Sequence, residues 1–334
     1  MKTIAITGVG GGVGQSILKS LKDSGYRIIC LDGELLAAGL YASERSYLIP
    51  YAKSDNFISK VLEICDLEKV DLIFPGLDAE LMPFSLNRDK FKQIGTTVVV
   101  SSPEVITISD DKQATYDELI KAGINVPFTA SINDYLKLNS PFPVIIKQKV
   151  GGARSKNVYL AKNKADWDTI IAKIGHNKDE YIAMEYIEGQ EYTCGTINLA
   201  NSCKGAIVMR RILRDGDTHK CFTEINDIIE QEVRLVVETI KPFGACNVQL
   251  RVKDGKPYVF EINARCSGTT AARTLSGFNE PRMIADFLLK GIEPSYKIKE
   301  QTILRYWNEI VIDNEVINQL KDNSSVTINN YQTL

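Results

Sequence analysis

The apolar residues between positions 3 and 101 fall into short runs separated by glycines, prolines and charged stretches. Thr3–Thr7, Arg27–Asp32, Asp71–Pro75 and Thr96–Ser101 are brief, largely apolar and bounded by turn-forming residues, a pattern that predicts buried strands. Val13–Ser24 and Asn56–Cys65, lying between them, predict helices. Strands alternating with crossover helices imply a parallel, doubly wound α/β sheet. Beyond Pro143 the strands lengthen and alternate: Val144–Lys149, Tyr181–Tyr186, Glu191–Asn198, Gly205–Ile212, Ala245–Val252 and Pro257–Asn263. Lys253-Asp254-Gly255-Lys256 predicts a tight hairpin turn between the last two. With helices expected at Asp110–Ala122, Lys164–Ile174, Ile225–Lys241 and Pro281–Lys290, this half reads as α+β with antiparallel sheets. The expected organisation is a Rossmann-like domain at 1–108, a second domain at 109–300, and a weakly patterned C-terminal appendage at 301–334.

Composition narrows the function without naming it. Over 334 residues, 44% hydrophobic and 25% charged content are ordinary globular values. A formal net charge of −2 gives no electrostatic reason to expect nucleic acid or an anionic membrane as partner. No apolar run approaches the roughly 20 residues that span a bilayer, and the start runs directly into a strand with no leader pattern. The seven cysteines contain no C-x-x-C pair, which fits reduced thiols in a cytoplasm better than a disulfide framework or a zinc site. With only His176 and His219 available, a metal would be held by carboxylates and amides.

Two segments carry candidate chemistry. Thr7-Gly8-Val9-Gly10-Gly11-Gly12-Val13-Gly14 joins a strand to a helix, with Asp32 ending the next strand. This is close to a dinucleotide-binding context, in which glycines let a phosphate approach a helix N-terminus. A nicotinamide-dependent reductase or epimerase of that type needs a Tyr and a Lys four residues apart, and no Y-x-x-x-K occurs here. The other reading is a tight turn that closes over a different ligand, with Gly11 toward substrate. The second segment is Gly244–Leu250, followed by a turn and Tyr258–Arg265. Strand alternation puts Glu261, Asn263 and Arg265 on one face, with Gln249 alongside across the hairpin. One acid, two amides and a neighbouring cation suit Mg²⁺, which takes oxygen ligands and is completed by phosphate and water.

In this order the segments resemble the ATP-grasp superfamily, and particularly one half of the large subunit of carbamoyl phosphate synthase, over nearly the whole chain. The resemblance implies a pre-ATP-grasp domain, then an ATP-grasp domain of two lobes hinged near 185–191. It implies ATP as cosubstrate with Mg²⁺, or Mn²⁺ in its place, on Gln249, Glu261 and Asn263. Lys112, Lys147, Asn247 and Arg265 would serve the phosphates, and Gly151, Gly152 and Ser155 would belong to a glycine-rich loop that covers them. Glu185, Tyr186 and Ile187 would read the adenine edge, and Glu191 the ribose. Lys147, Arg211 and Arg265 would stabilise the transferred phosphoryl group, while Arg210 and Arg273 would hold a substrate carboxylate. Where the synthase has a further arginine in its bicarbonate-handling region this chain has Gly268, and there is one ATP-grasp unit instead of two. The implied activity is therefore a carboxylate–amine ligase acting on small molecules; a non-catalytic nucleotide binder is the remaining alternative. A homodimer is among the assemblies compatible with it.

Overall fold

The computed structural model describes residues 1–138, 142–151 and 157–334. The N-terminal part is β1 (Thr3–Thr7), α1 (Gly12–Leu21), β2 (Arg27–Asp32), β3 (Arg45–Leu48), α2 (Phe57–Leu67), β4 (Leu72–Phe74), α3 (Asp78–Leu86), α4 (Arg88–Gln93) and β5 (Thr97–Val98). β3, β2, β1, β4 and β5 pair in parallel in that order, as strand–helix alternation requires. β1 is buried throughout, with Ile4 and Ile6 packing toward one core cluster and Ala5 toward another.

Next come α5 (Pro103–Asp110), which the sequence pattern does not predict, and α6 (Lys112–Lys121), which answers to the helix expected at Asp110–Ala122. Asp111 divides them: its backbone is extended and its carboxylate accepts from the amides of Gln113 and Ala114 at 2.9 and 3.1 Å, an N-cap that starts a new helix. β6 (Thr129–Ser131), α7 (Ile132–Tyr135), β7 (Val144–Gln148), β8 (Tyr159–Ala161), α8 (Lys164–Ile174) and β9 (Tyr181–Glu185) form one lobe, whose four-stranded antiparallel sheet runs β6-β9-β7-β8.

The other lobe holds β10 (Gln190–Leu199), β11 (Ser202–Arg214), β12 (Asp217–Glu224), α9 (Asp227–Ile240), β13 (Gly244–Lys253) and β14 (Lys256–Asn263). α9 starts at Asn226, whose side chain accepts from the Ile229 amide, and it buries Ile229, Val233, Val236, Val237 and Ile240. That is a helical stripe laid on the sheet, each side chain contributing roughly 1.5–3 kcal/mol. Asp254 and Gly255, both at positive φ, make the β13–β14 turn. The sequence reading passes over β12, because its buried positions include Thr218 and Thr223 and its hydrophobic signal is weak.

α10 (Thr270–Leu275), α11 (Glu280–Lys290), β15 (Thr302–Leu304), α12 (Asn314–Asn323) and β16 (Ser325–Thr327) complete the chain. Residues 301–334 are not a separate appendage: β15 pairs with β12 on the edge of the six-stranded sheet, and β16 pairs antiparallel with β3 in the first. α1 packs on α10 and α11, where Ser16 Oγ donates to Gly268 O at 2.9 Å and Tyr26 donates to Asp286 at 2.6 Å. That docking turns the glycine loop before α1 toward the end of β14. Among the described residues no helix is long and apolar enough to cross a membrane.

Candidate active site

Strand register brings the expected cluster together. Across β10, β13 and β14, Thr193 opposes Gln249 and Gln249 opposes Glu261; in the next row Gly195 opposes Asn247 and Asn247 opposes Asn263. Gln249 Nε2 and Asn263 Nδ2 both donate to Glu261 Oε1, at 3.3 and 3.1 Å. Arg211 Nη2 donates to Gln249 Oε1 at 2.6 Å, and Arg265 Nη2 to Asn263 Oδ1 at 3.1 Å. One carboxylate is thus enclosed by two amides, and each amide oxygen faces a guanidinium.

On the hinge side of this cluster lies a cavity of about 230 Å³, lined by Lys147, Met184, Tyr186, Ile187, Arg251 and Phe260 among others. Lys147 is 5% exposed and its Nζ donates to Phe260 O at 3.3 Å. Burial pushes its ammonium down to about 8, with Glu261 acting in the opposite sense. Lys112 reaches the Gly151 carbonyl at 2.6 Å. In the hinge the Tyr186 amide donates to Pro143 O at 3.2 Å, and the Ile187 carbonyl accepts from Arg251 at 3.2 Å. Glu185 closes the edge, its amide on Phe128 O at 2.8 Å. Glu191 is not the open ribose acceptor that was expected. Arg211 takes its Oε1, at 2.9 and 2.6 Å, and Arg251 takes its Oε2, at 3.0 and 2.6 Å.

On the other side a cavity of about 730 Å³ shares Lys112, Arg211, Gln249 and Glu261 with the first and opens between the two domains. Gly11, Gly12 and Asp78 of the N-terminal domain line it opposite Asn247, Asn263 and Arg265. Arg265 grips Asp78 with two bonds, at 2.7 and 2.8 Å. The glycine loop is tightly wound: a Cβ at Gly14 would lie 2.3 Å from Gly8 O. Asp32, which in a dinucleotide site would read a ribose, accepts from the Gly10 amide of that same loop at 2.7 Å.

Two stretches of the chain match known family models. Residues 177–310 match the model described as ATP-grasp in the biosynthetic pathway with Ter operon, and residues 4–99 match the PylC-like N-terminal domain. The second half of the chain is thus similar to ATP-grasp proteins. Over 275 residues, 75% of this chain, it is 26% identical to the carbamoyl phosphate synthase large chain of Thermoanaerobacter sp. (strain X514), but it spans only 24% of that relative's length. It is also 25% identical to the uncharacterized protein MJ0776 of Methanocaldococcus jannaschii, covering 80% of this chain and 70% of that one. In fold it is similar to N5-carboxyaminoimidazole synthetase from Staphylococcus aureus complexed with ADP (TM-score 0.72, 16% identity, 99% and 94% coverage). A second similar structure is the L-amino acid ligase from Bacillus licheniformis (TM-score 0.67, 17% identity, 87% and 74% coverage). Neither the loop geometry nor these matches support the nicotinamide alternative.

Two expected substrate residues lie away from the cleft. Arg210 points away from the cleft, its Nε bonded to Glu224 Oε1 at 2.6 Å and its guanidinium over the Phe222 ring, because neighbours on a strand face opposite sides. Arg273 is fully buried and ion-paired to Glu280 at 2.8 Å, so no substrate reaches it directly. Gly152 and Ser155 lie outside the described residues. Sequence reading passed over Arg251 and Asp78. Arg251 was signalled by alternation, since it continues the face of Asn247 and Gln249; Asp78 was signalled by following a parallel strand's C-terminal end, where α/β sheets bind ligands.

Proposed function

We propose that this chain is a Mg-ATP-dependent, ADP-forming ligase of the ATP-grasp type that activates a small carboxylic acid as an acyl phosphate and passes it to an amine. The reading rests on one observation: the Gln249/Glu261/Asn263 cluster stands where the two cavities meet, ringed by Lys112, Lys147, Arg211 and Arg265. Glu261 and the amide oxygens of Gln249 and Asn263 are the donor type Mg²⁺ takes. Here both amides turn their nitrogens to Glu261 and their oxygens to Arg211 and Arg265, so the amides would have to turn over to hold the ion. Among the described residues no group of three or more His, Cys, Asp and Glu could hold an ion unaided. Phosphate oxygens and water would therefore complete the shell. When bound on Gln249, Glu261 and Asn263, the ion would neutralise phosphate charge.

The chain's own residues do the rest. The smaller cavity would take the adenosine, with the hinge Glu185–Ile187 at the base edge and Lys147 on the phosphates. Lys147 is a cation that burial disfavours and a phosphate would restore. Arg211, Arg265 and the amide nitrogen of Asn247 would stabilise charge on the phosphoryl group in flight. A carboxylate oxygen attacks the γ-phosphorus and ADP leaves. The amine nitrogen then attacks the acyl carbon, inorganic phosphate leaves, and the amine gives up a proton. No protein nucleophile enters, which agrees with burial pushing the Cys194 and Cys246 thiols up to about 12. The acid would occupy the larger cavity, whose volume of about 730 Å³ suits a molecule well beyond bicarbonate. With Gly268 where the synthase keeps an arginine, the reading favours an acid of that larger size over carbamoyl phosphate synthesis.

The test is a screen of amino acids and small carboxylates for acid-dependent phosphate release, with the nucleotide product identified. ADP formation stimulated by one acid and one amine is the expected result. AMP and pyrophosphate, or no acid dependence across the screen, would overturn the reading.

A further inference from the structure

Arg273 and Glu280 are both 0% exposed, and their ion pair of 2.8 Å packs on the face of the six-stranded sheet that carries Asn247 and Gly195. We propose that this pair is a positioning device that locks the Asn247 amide with its nitrogen toward the acceptor side of the cleft. What the nitrogen meets there rests on the ligase reading above; the locking itself does not.

The hydrogen bonds set the orientation. Arg273 Nη2 donates to Asn247 Oδ1 and, at 3.2 Å, to Thr193 Oγ1. Thr193 Oγ1 in turn donates a hydrogen bond to Asn247 Oδ1 at 2.8 Å. Both lone pairs of the amide oxygen are therefore filled from beneath. The amide nitrogen, which has no partner among the described residues, is left to the larger cavity that Asn247 lines. Without Arg273 an asparagine here could turn over and present its oxygen, an acceptor, to an anionic group. With Arg273 it can present only a donor.

The strand is shaped to seat the pair. Gly195 opposes Asn247 in the ladder, and a Cβ at Gly195 would lie 2.2 Å from Glu280 Oε1 and 2.4 Å from Arg273 Nη1. Stability alone accounts poorly for the pair. Arg273 Nε and Glu280 Oε2 are buried with no partner among the described residues, and an incompletely satisfied buried ion pair is a weak source of folding energy. Its position along β13 gives it a use. Arg251 lines the hinge cavity, Gln249 lines both cavities, and Asn247 lines only the acceptor one. The locked donor thus stands just past the metal cluster on the side to which the phosphoryl group moves.

Two measurements on the full chain test this. In side-chain amide NMR, the Asn247 resonance, assigned by its loss in Asn247→Asp, should stand apart from the mobile amides in the wild type. It should collapse toward them in Arg273→Met and largely persist in Arg273→Lys; an unchanged resonance in Arg273→Met overturns the proposal. In calorimetric titration, the wild type should bind MgADP with aluminium fluoride at least tenfold tighter than MgADP alone. Arg273→Met should lose that preference while keeping its MgADP affinity within about twofold, and Arg273→Lys should recover most of it. Arg273→Met added to Asn247→Asp should cost nothing more, whereas a purely structural role gives additive losses and overturns the idea. Should Arg273→Met fail to fold, Thr193→Val removes one of the two donors to Asn247 and should lower the preference about threefold. A wild type that binds no MgADP would sink the ligase reading, and the NMR experiment would still decide the locking.

Discussion

The hinge end of the cleft and its acceptor end share Gln249 and Glu261 and differ in most other respects. The hinge end is small and part apolar, its walls tied by the ion pairs of Glu191 with Arg211 and Arg251 and by Lys147 Nζ donating to the Phe260 carbonyl. The acceptor end is about three times larger and lies between two domains, with Asp78 and the glycine loop facing Arg265 and Asn247. A small end tied by ion pairs suits one constant ligand such as a nucleotide. A wide end whose wall comes from a separate domain lets the acceptor vary while the phosphoryl machinery stays constant.

The sharpest test of that division is at Glu261, one of the residues both ends share. Glu261→Gln should reduce phosphate release by ~10³-fold or more, because the only carboxylate of the cluster is lost. MgADP binding should weaken only a few-fold, and turnover that persists would remove the metal reading. Lys147→Met comes next, expected to weaken MgATP binding by ~100-fold, as loss of a desolvated charged partner does. Its folding effect runs the other way. Lys147 falls from 10.5 in the unfolded chain to about 8 in the folded one, so the folded state resists the proton. The free enzyme should therefore gain stability as pH rises through 8 toward 10.5, a gain that Lys147→Met abolishes by supplying it at neutral pH; thermal melts at pH 7 and 10 read it. MgATP binding should take up a proton near pH 8–9 and weaken above that, as calorimetry in two buffers would show.

Smaller effects separate the acceptor end. Asp78→Asn should leave MgADP affinity within about twofold but change acid-dependent phosphate release by ~10-fold, through loss of the two bonds that aim Arg265. An equal effect on both ends would mean that the domain wall serves the nucleotide too. Smallest is Arg210→Gln, expected to move turnover less than about twofold and stability by under ~1 kcal/mol, since its partner Glu224 is partly solvent-exposed. Arg211→Gln beside it should cost at least tenfold.

The parallel sheet, the antiparallel lobes and the row Gln249–Glu261–Asn263–Arg265 could all be read along the chain. Each depends on local periodicity: strand alternation over eight residues and a two-residue hairpin turn fix which side chains share a face. Sequence reading failed where distance along the chain is large. Arg265 meets Asp78 across 187 positions, Ser16 meets Gly268 across 252, and β16 returns to β3 from the far end of the chain. Arg273 and Arg210 look, as residue types, like ligand contacts, and the structure gives each a carboxylate partner instead. Whether an arginine or a glutamate is free for a ligand depends on which opposite charge is packed beside it. Alternation along a strand is a local property of the backbone; the pairing of charges across a domain interface exists only once the domains have docked.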